Sequence, residues 1–346
     1  MSFSVFSQDF VWKASLFTFF DNIEFSGSDF KSSQTMSGVM LSPELGLKWD
    51  TVHKIAAGIN LMHEFGSEEA LVKVYPSAYY EYSGRPFRFI MGAFSRAQAL
   101  ESYPRIFFQD SLSYYRPYIN GIYFGFHPSG GYVDAWLDWT GRQSETVREA
   151  FFAGISGQYN YRNLYTRGYS YMYHYASAAD PLVHEALHDN ILINASVGID
   201  LSYKTFFSIL DINAGWVLGL ERARVGAGDW IIMNGLLVES KVEYGFAGLF
   251  NTFYAGDGMM SFYGDHNSDL YWGDPVYRAK VYDRLDVYFR FLRKQRVDLR
   301  LTWSLHFLEG NVYNEQMLKV RIDINSPGYN SGGHKVSTIN NRKQFD

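Results

Sequence analysis

Residues 297–307, VDLRLTWSLHF, put Val297, Leu299, Leu301, Trp303, Leu305 and Phe307 on one side of an extended chain. Asp298, Arg300, Thr302, Ser304 and His306 fall on the other. Strict alternation of this kind marks a strand with one apolar and one polar face. The pattern recurs in VYDRLDVYFRF (281–291), where Leu285, Val287, Phe289 and Phe291 oppose Arg284, Asp286 and Arg290. MLKVRIDI (317–324) sets Leu318, Val320, Ile322 and Ile324 against Lys319, Arg321 and Asp323. ILINASVGIDLS (191–202) and YVDAWLDW (132–139) follow the same rule. These segments are about ten residues long, enough for a tilted strand to cross a bilayer.

The connections carry a second signal. Candidate strands fall at 8–20, 36–49, 53–65, 70–82, 87–96, 117–127, 131–140 and 146–160, then 163–175, 190–203, 205–220, 229–244, 246–255, 278–292, 297–308 and 314–325. That gives sixteen strands, and fourteen to eighteen fit the same pattern. Longer loops (21–35, 97–116, 176–189, 256–277) take turns with tight ones (83–86, 128–130, Lys204, Gly245, 293–296). Even strand number with short turns at one end and longer loops at the other predicts an all-β fold: a transmembrane antiparallel β-barrel. Closure leaves no strand edge unpaired in lipid.

Composition narrows the alternatives. Aromatic residues make up 18% of the chain and charged residues 19%, with 27 Tyr, 28 Phe and 8 Trp. A soluble sandwich or jelly roll also alternates, but it shows water a face rich in Lys and Glu. Here the polar face mixes isolated charges of both signs with Gly, Ser, Asn and Tyr. No repeat of 40–50 residues signals propeller blades. The absence of cysteine excludes a disulfide framework and a thiolate metal site. A net charge of -5 without a basic run argues against nucleic acid. No apolar run approaches the roughly 18 residues of a membrane helix. The start, MSFSVFSQDF, lacks the basic and apolar regions of a secretory signal, as expected of a mature chain without its signal peptide or of a cytosolic one.

The aromatic-rich strands, together with loop stretches such as LYWGDPVYR (270–278), resemble the porin-like outer-membrane β-barrels of Bacteroidetes-type bacteria. The resemblance implies a place in the bacterial outer membrane among outer-membrane lipid and lipopolysaccharide. It also allows a homotrimer or contact with other outer-membrane or periplasmic proteins. It assigns no role to any residue.

Several motifs suggest chemistry. HEALH at 184–188 matches H-E-x-x-H, in which two histidines one helical turn apart bind zinc and the glutamate activates water. The segment falls in a loop just before a strand, and no third ligand follows at a suitable spacing, so His184 and His188 are expected to form at most a surface metal site. Asp265, Asn267 and Asp269 begin like a calcium loop, but Leu270 and Val276 occupy the positions needing Gly and Glu. GAGD (226–229) opens no Rossmann-type unit. Ser304 and His306 share a strand face, yet nucleophilic catalysis needs three converging groups. No cofactor signature is present.

What remains is the inward face. Arg284, Asp286, Arg290, Asp298, Arg300, Lys319, Arg321 and Asp323 lie on the last three strands; Asp134, Asp138, Asp200, Glu239, Lys241 and Glu243 lie elsewhere around the barrel. Opposed charged walls orient solutes in a pore, whereas paired charges brace a narrow barrel. The expectation is one barrel domain (1–325) with a polar C-terminal tail (326–346). It is expected to act as a passive channel for small polar solutes, narrowed by infolded loops near 97–116 or 256–277, and to have no enzymatic role. The alternatives are a non-conducting structural subunit of a larger outer-membrane assembly, and a membrane-embedded hydrolase centred on HEALH or His306.

Overall fold

The computed structural model describes residues 8–100, 103–180, 186–224, 228–294 and 296–329. Sixteen strands form one closed antiparallel barrel. The first eight are β1 (Asp9–Glu24), β2 (Gln34–Trp49), β3 (His53–Glu64), β4 (Lys73–Gly84), β5 (Phe87–Ser95), β6 (Tyr118–Phe126), β7 (Gly131–Gly141) and β8 (Ala150–Tyr161). The rest are β9 (Leu164–Tyr175), β10 (His188–Asp200), β11 (Ile209–Ala223), β12 (Ile231–Tyr244), β13 (Ala247–Gly256), β14 (Val281–Lys294), β15 (Val297–Leu308) and β16 (Asn311–Asn325). Each pairs with its sequence neighbours, and β1 closes the ring against β16 from Lys13↔Asn325 to Glu24↔Asn314.

Burial decides which face looks where. On β15, Leu301, Trp303 and Phe307 are 39%, 51% and 41% exposed, whereas Thr302, Ser304 and His306 are 3%, 0% and 0%. The apolar face is outside and the polar face inside. A soluble sandwich does the reverse, and water would penalise this exposed apolar band; lipid does not. Exposed Leu, Ile, Phe and Trp recur on β1, β2, β11 and β12.

Strand boundaries differ from the sequence expectation mainly at the ends. β1 runs on to Glu24, and the expected loop 309–313 shrinks to a two-residue turn at Glu309 and Gly310, both with positive φ. The expected single-residue turn at Lys204 is instead the whole stretch 201–208, where Ser202 N–H bonds the Asp200 carboxylate. His188 is the first residue of β10 rather than part of a loop, and His184 lies outside the described residues.

The long connections do not all stay outside. The described residues of two of them, 96–117 and 257–280, fold back into the barrel from the loop end and clasp each other. Gln109 N–H donates to the Trp272 carbonyl (2.8 Å), and Asp274 N–H to that of Arg105 (2.9 Å). They cross at Gly273, where a Cβ would overlap the Ile106 carbonyl oxygen. Ile106, Phe107, Tyr114, Trp272, Val276 and Tyr277 are fully buried there, in a core that a hollow barrel would lack. The first segment carries α1 (Arg96–Ala99) and α2 (Leu112–Tyr115). At the turn end, the chain after β16 bends inward. Ser326 pairs with the Trp12 backbone, and Tyr329 sits on Tyr79 and Glu44 with Lys54 over its ring. The described start of the tail is thus part of the barrel filling.

Candidate functional site

Beneath the loop end, the two infolded segments meet the inner faces of β1, β14, β15 and β16, and a dense polar centre results. Arg284 organises it. Its Nε donates to Asp286 (2.6 Å) and Nη2 to Ser304 Oγ (3.0 Å), while Nη1 ion-pairs with Glu315 (3.3 Å). Arg105, from the first segment, bridges Asp110 (2.8 Å) and Asp286 (3.0 Å). Lys319 lies 3.5 Å from Asp110, and the Tyr114 hydroxyl donates to Asp21 (3.1 Å). Lys31, from the β1–β2 connection, pairs with Asp274 at 2.9 Å. Burial alone would raise the pKa of Asp110, but Arg105, Lys319 and Arg284 hold it well below the ordinary carboxylate value. Burial likewise opposes the charge on Lys31, and Asp274 more than offsets it, so the ammonium is held above its ordinary value.

Within this centre lies a linear relay. The Tyr282 hydroxyl is 2.7 Å from His306 Nδ1, and His306 Nε2 is 3.1 Å from a Glu315 carboxylate oxygen. The tautomer that satisfies all three groups carries the proton on Nε2, donates it to Glu315, and accepts at Nδ1 from Tyr282. Hydroxyl, imidazole and carboxylate in this order form the arrangement that withdraws a proton from an attacking oxygen. Phe25 closes the relay from above with its ring edge-on to His306 (4.8 Å) and stacked on Tyr313 (4.7 Å). Arg278 donates to the Asp29 and Phe30 carbonyls and so ties the same covering segment to the second infolded one.

The residues expected to face inward fall on inward register positions, and the structure brings only some of them together. Arg284, Asp286 and Lys319 belong to the centre. Asp138 holds Arg96, and Asp134 accepts from Tyr123 (2.7 Å) beside His127. Arg290 joins Glu243 to Asp298. Arg300 lies over Tyr288 and Arg321 over Phe17, while Asp323 accepts from Ser15. Asp200 caps the next turn; Glu239 and Lys241 stand opposite Asn213 and Asp211. Several of these charges are thus paired side by side or through the infolded segments. Glu315, Tyr282, Asp21, Arg105 and Asp110 were not singled out from sequence. They reach the centre through strand register and loop infolding. Ser304 does not serve His306; it is engaged by Arg284.

At the HEALH site, His188 points inward with Nε2 2.9 Å from His266 Nε2. Among the described residues, no cluster of three His, Asp or Glu side chains could hold a metal.

Fold and site together define a sixteen-stranded outer-membrane β-barrel whose lumen is occupied by its own loops. Residues 7–324 match the lipid A 3'-O-deacylase-type family, and the chain belongs to it. That family name denotes a hydrolytic enzyme, which overturns the expectation of a barrel without enzymatic role. No curated protein matches the chain in sequence. Among solved structures, the chain is similar to a loop L8 deletion mutant of OmpT, an outer membrane protein of Vibrio cholerae. That likeness has 11% identity and a TM-score of 0.55, and covers 93% of this chain and 100% of the other. A mutant of the Rh. blastica porin gives 12% identity and a TM-score of 0.52, over 91% and 100% of the two chains. At such identities the likeness speaks for the fold alone.

Proposed function

We propose that this barrel is an outer-membrane hydrolase that cleaves an ester-linked acyl chain from a lipid A-type glycolipid, with the Tyr282–His306–Glu315 relay as its proton-handling centre. Family membership supports the reaction class. The observation that carries the location is the relay itself, a base held by a carboxylate on one nitrogen and a hydroxyl on the other. In the reaction, a water oxygen bonds to the acyl carbon. Its proton passes to the Tyr282 oxygen as the Tyr282 proton moves to His306 Nδ1. The ester C–O bond then breaks, and the proton returns along the relay to the leaving sugar oxygen. Arg284, 1% exposed, ion-pairs with Glu315 and so orients the acid end of the relay. In this conformation Phe25 lies over His306, so substrate has to reach the relay past it.

A passive channel has weaker support, because segments 96–117 and 257–280 occupy the lumen it would need. Steady solute flux through the purified protein in planar bilayers would restore that reading.

The direct test is fatty-acid release from purified lipid A in vesicles, followed by mass spectrometry. Wild type releases acid. His306→Ala and Glu315→Gln fall by about 100-fold or more, the usual size of a lost general base, while keeping the heat-dependent gel mobility of a folded barrel. Undiminished release in both variants would place the chemistry elsewhere, and no release by wild type would end the hydrolase reading.

A further inference from the structure

On the lipid-facing side of the wall, at the loop end of β7 to β11, the outward residues form an unbroken row. Trp139 stacks on Phe151 (5.1 Å between ring centres), and Phe151 meets the His174 ring at 5.1 Å. His174 Nδ1 lies 3.2 Å from Asp189, which accepts from Arg222 Nε at 2.7 Å. Arg222 in turn covers Trp230 at 4.3 Å. Arg224, just past β11, adds two further bonds to Asp189 (2.8 and 3.1 Å). Register fixes the direction in which these side chains point. Asp189 stands between His174 and Arg222, while the next pair along, Asn190 and Glu221, are buried inside; Glu221 accepts from Tyr271 of the second infolded segment.

The charges of this row do not balance. Two guanidiniums share a single carboxylate, and among the described residues Asp189 is the only carboxylate ion-paired with either. Asp189 is almost fully covered (4%), whereas the Arg222 and Arg224 side chains keep 28% and 47% exposure. Uncompensated arginine on the outside of a barrel is costly within hydrocarbon and tolerated near the interface. Trp139 and Trp230 mark that interface, where aromatic belts sit. A planar fork with remaining N–H donors, fixed by a buried carboxylate, matches the oxygens of a phosphate.

We propose that the row His174–Asp189–Arg222–Arg224, flanked by Trp230, is a binding site for the phosphate of a phosphorylated lipid headgroup in the outer leaflet. Asp189 acts as a positioning residue that holds both guanidiniums toward the membrane. The site is independent of the buried relay: it lies on the opposite face of the wall and keeps its lipid whether or not the relay hydrolyses anything.

The test is native mass spectrometry of the whole protein released from nanodiscs of phosphatidylcholine doped with lipid A or with its dephosphorylated form. Wild type retains the phosphorylated lipid about tenfold better than the dephosphorylated one, as expected for charge-assisted bonds. Arg222→Gln/Arg224→Gln loses that preference, and Arg224→Gln alone, which removes a half-exposed side chain beyond the strand, loses most of it. Lys204→Gln at the turn end leaves it unchanged. Equal retention by wild type and the double variant overturns the proposal. So does full competition by millimolar inorganic phosphate, which would make it a site for the free ion.

Discussion

Glu221 and Arg222 are neighbours in sequence and inhabit different solvents. Glu221 faces the barrel filling and is held by Tyr271, while Arg222 faces lipid and is held by Asp189. The two polar clusters built around such residues use the same chemistry: arginines, carboxylates and a histidine bonded to an acid. Inside, Arg284 touches Asp286, Glu315 and Asp110 and is 1% exposed. Outside, one carboxylate serves two half-shielded arginines. The inner cluster is matched, and its charges serve one another; the outer one, among the described residues, sets two guanidiniums against one carboxylate. Burial with full pairing suits a centre that moves protons, and partial exposure with surplus charge suits one that binds an anion.

The contrast can be broken at four points, from the largest expected effect to the smallest. Arg284→Met leaves Asp286 and Glu315 buried without their shared cation, and loss of one partner of a buried pair costs about 3–5 kcal/mol. Urea unfolding in detergent, read by tryptophan fluorescence, reports it; a loss below about 1 kcal/mol would mean that water already screens the centre. Leu301→Arg, on the lipid face of β15, is expected to cost about 2–4 kcal/mol for a residue near mid-membrane. An unchanged folding free energy in lipid vesicles would contradict the assignment of faces.

The third point is pH. The depressed pKa of Asp110 stabilises the seated first segment at any pH above the unfolded carboxylate value of about 3.9, and that contribution is lost as pH falls through the lower folded value. Conductance in planar bilayers should therefore stay at its neutral level down through about pH 4 and rise only in stronger acid. A rise between neutrality and pH 5 would show that Asp110 does not hold the segment. The smallest effect belongs to Trp230→Leu, which removes a partly exposed cation–π contact worth about 0.5–1 kcal/mol. Barrel stability should shift by no more than that, while lipid retention weakens measurably; a large loss of stability would recast the row as structural bracing.

How much of this was legible beforehand follows from the physics of strands. Alternation in VDLRLTWSLHF reports a face, and tight turns report ends, so the barrel and its sixteen strands could be read from local pattern. The relay could not. His306, Tyr282 and Glu315 lie on three different strands, and their meeting depends on register, which a one-residue slip would undo. Glu315 sits in NVYNEQM, where alternation is weak and the pattern starts the strand three residues late. The infolded segment 96–117 has no period at all; an infolded loop near 97–116 is expected from the sequence, but not the aromatic core that it builds with the second segment. Asp189 belongs to no motif in the sequence, and its neighbours in space come from β9 and β11.

The seam between β1 and β16 has a kinetic consequence. It joins the two ends of the chain, so its contacts span the greatest sequence separation in the molecule and carry the largest loop-closure cost. Fifteen of the sixteen pairings can form as successive hairpins while this one waits for the whole sheet to curl. Ser326 and Tyr329 gain their partners on β1 and β2 only after that closure. The last strand and the residues behind it thus act as a late lock, and a chain halted before them holds an open sheet with two bare edges.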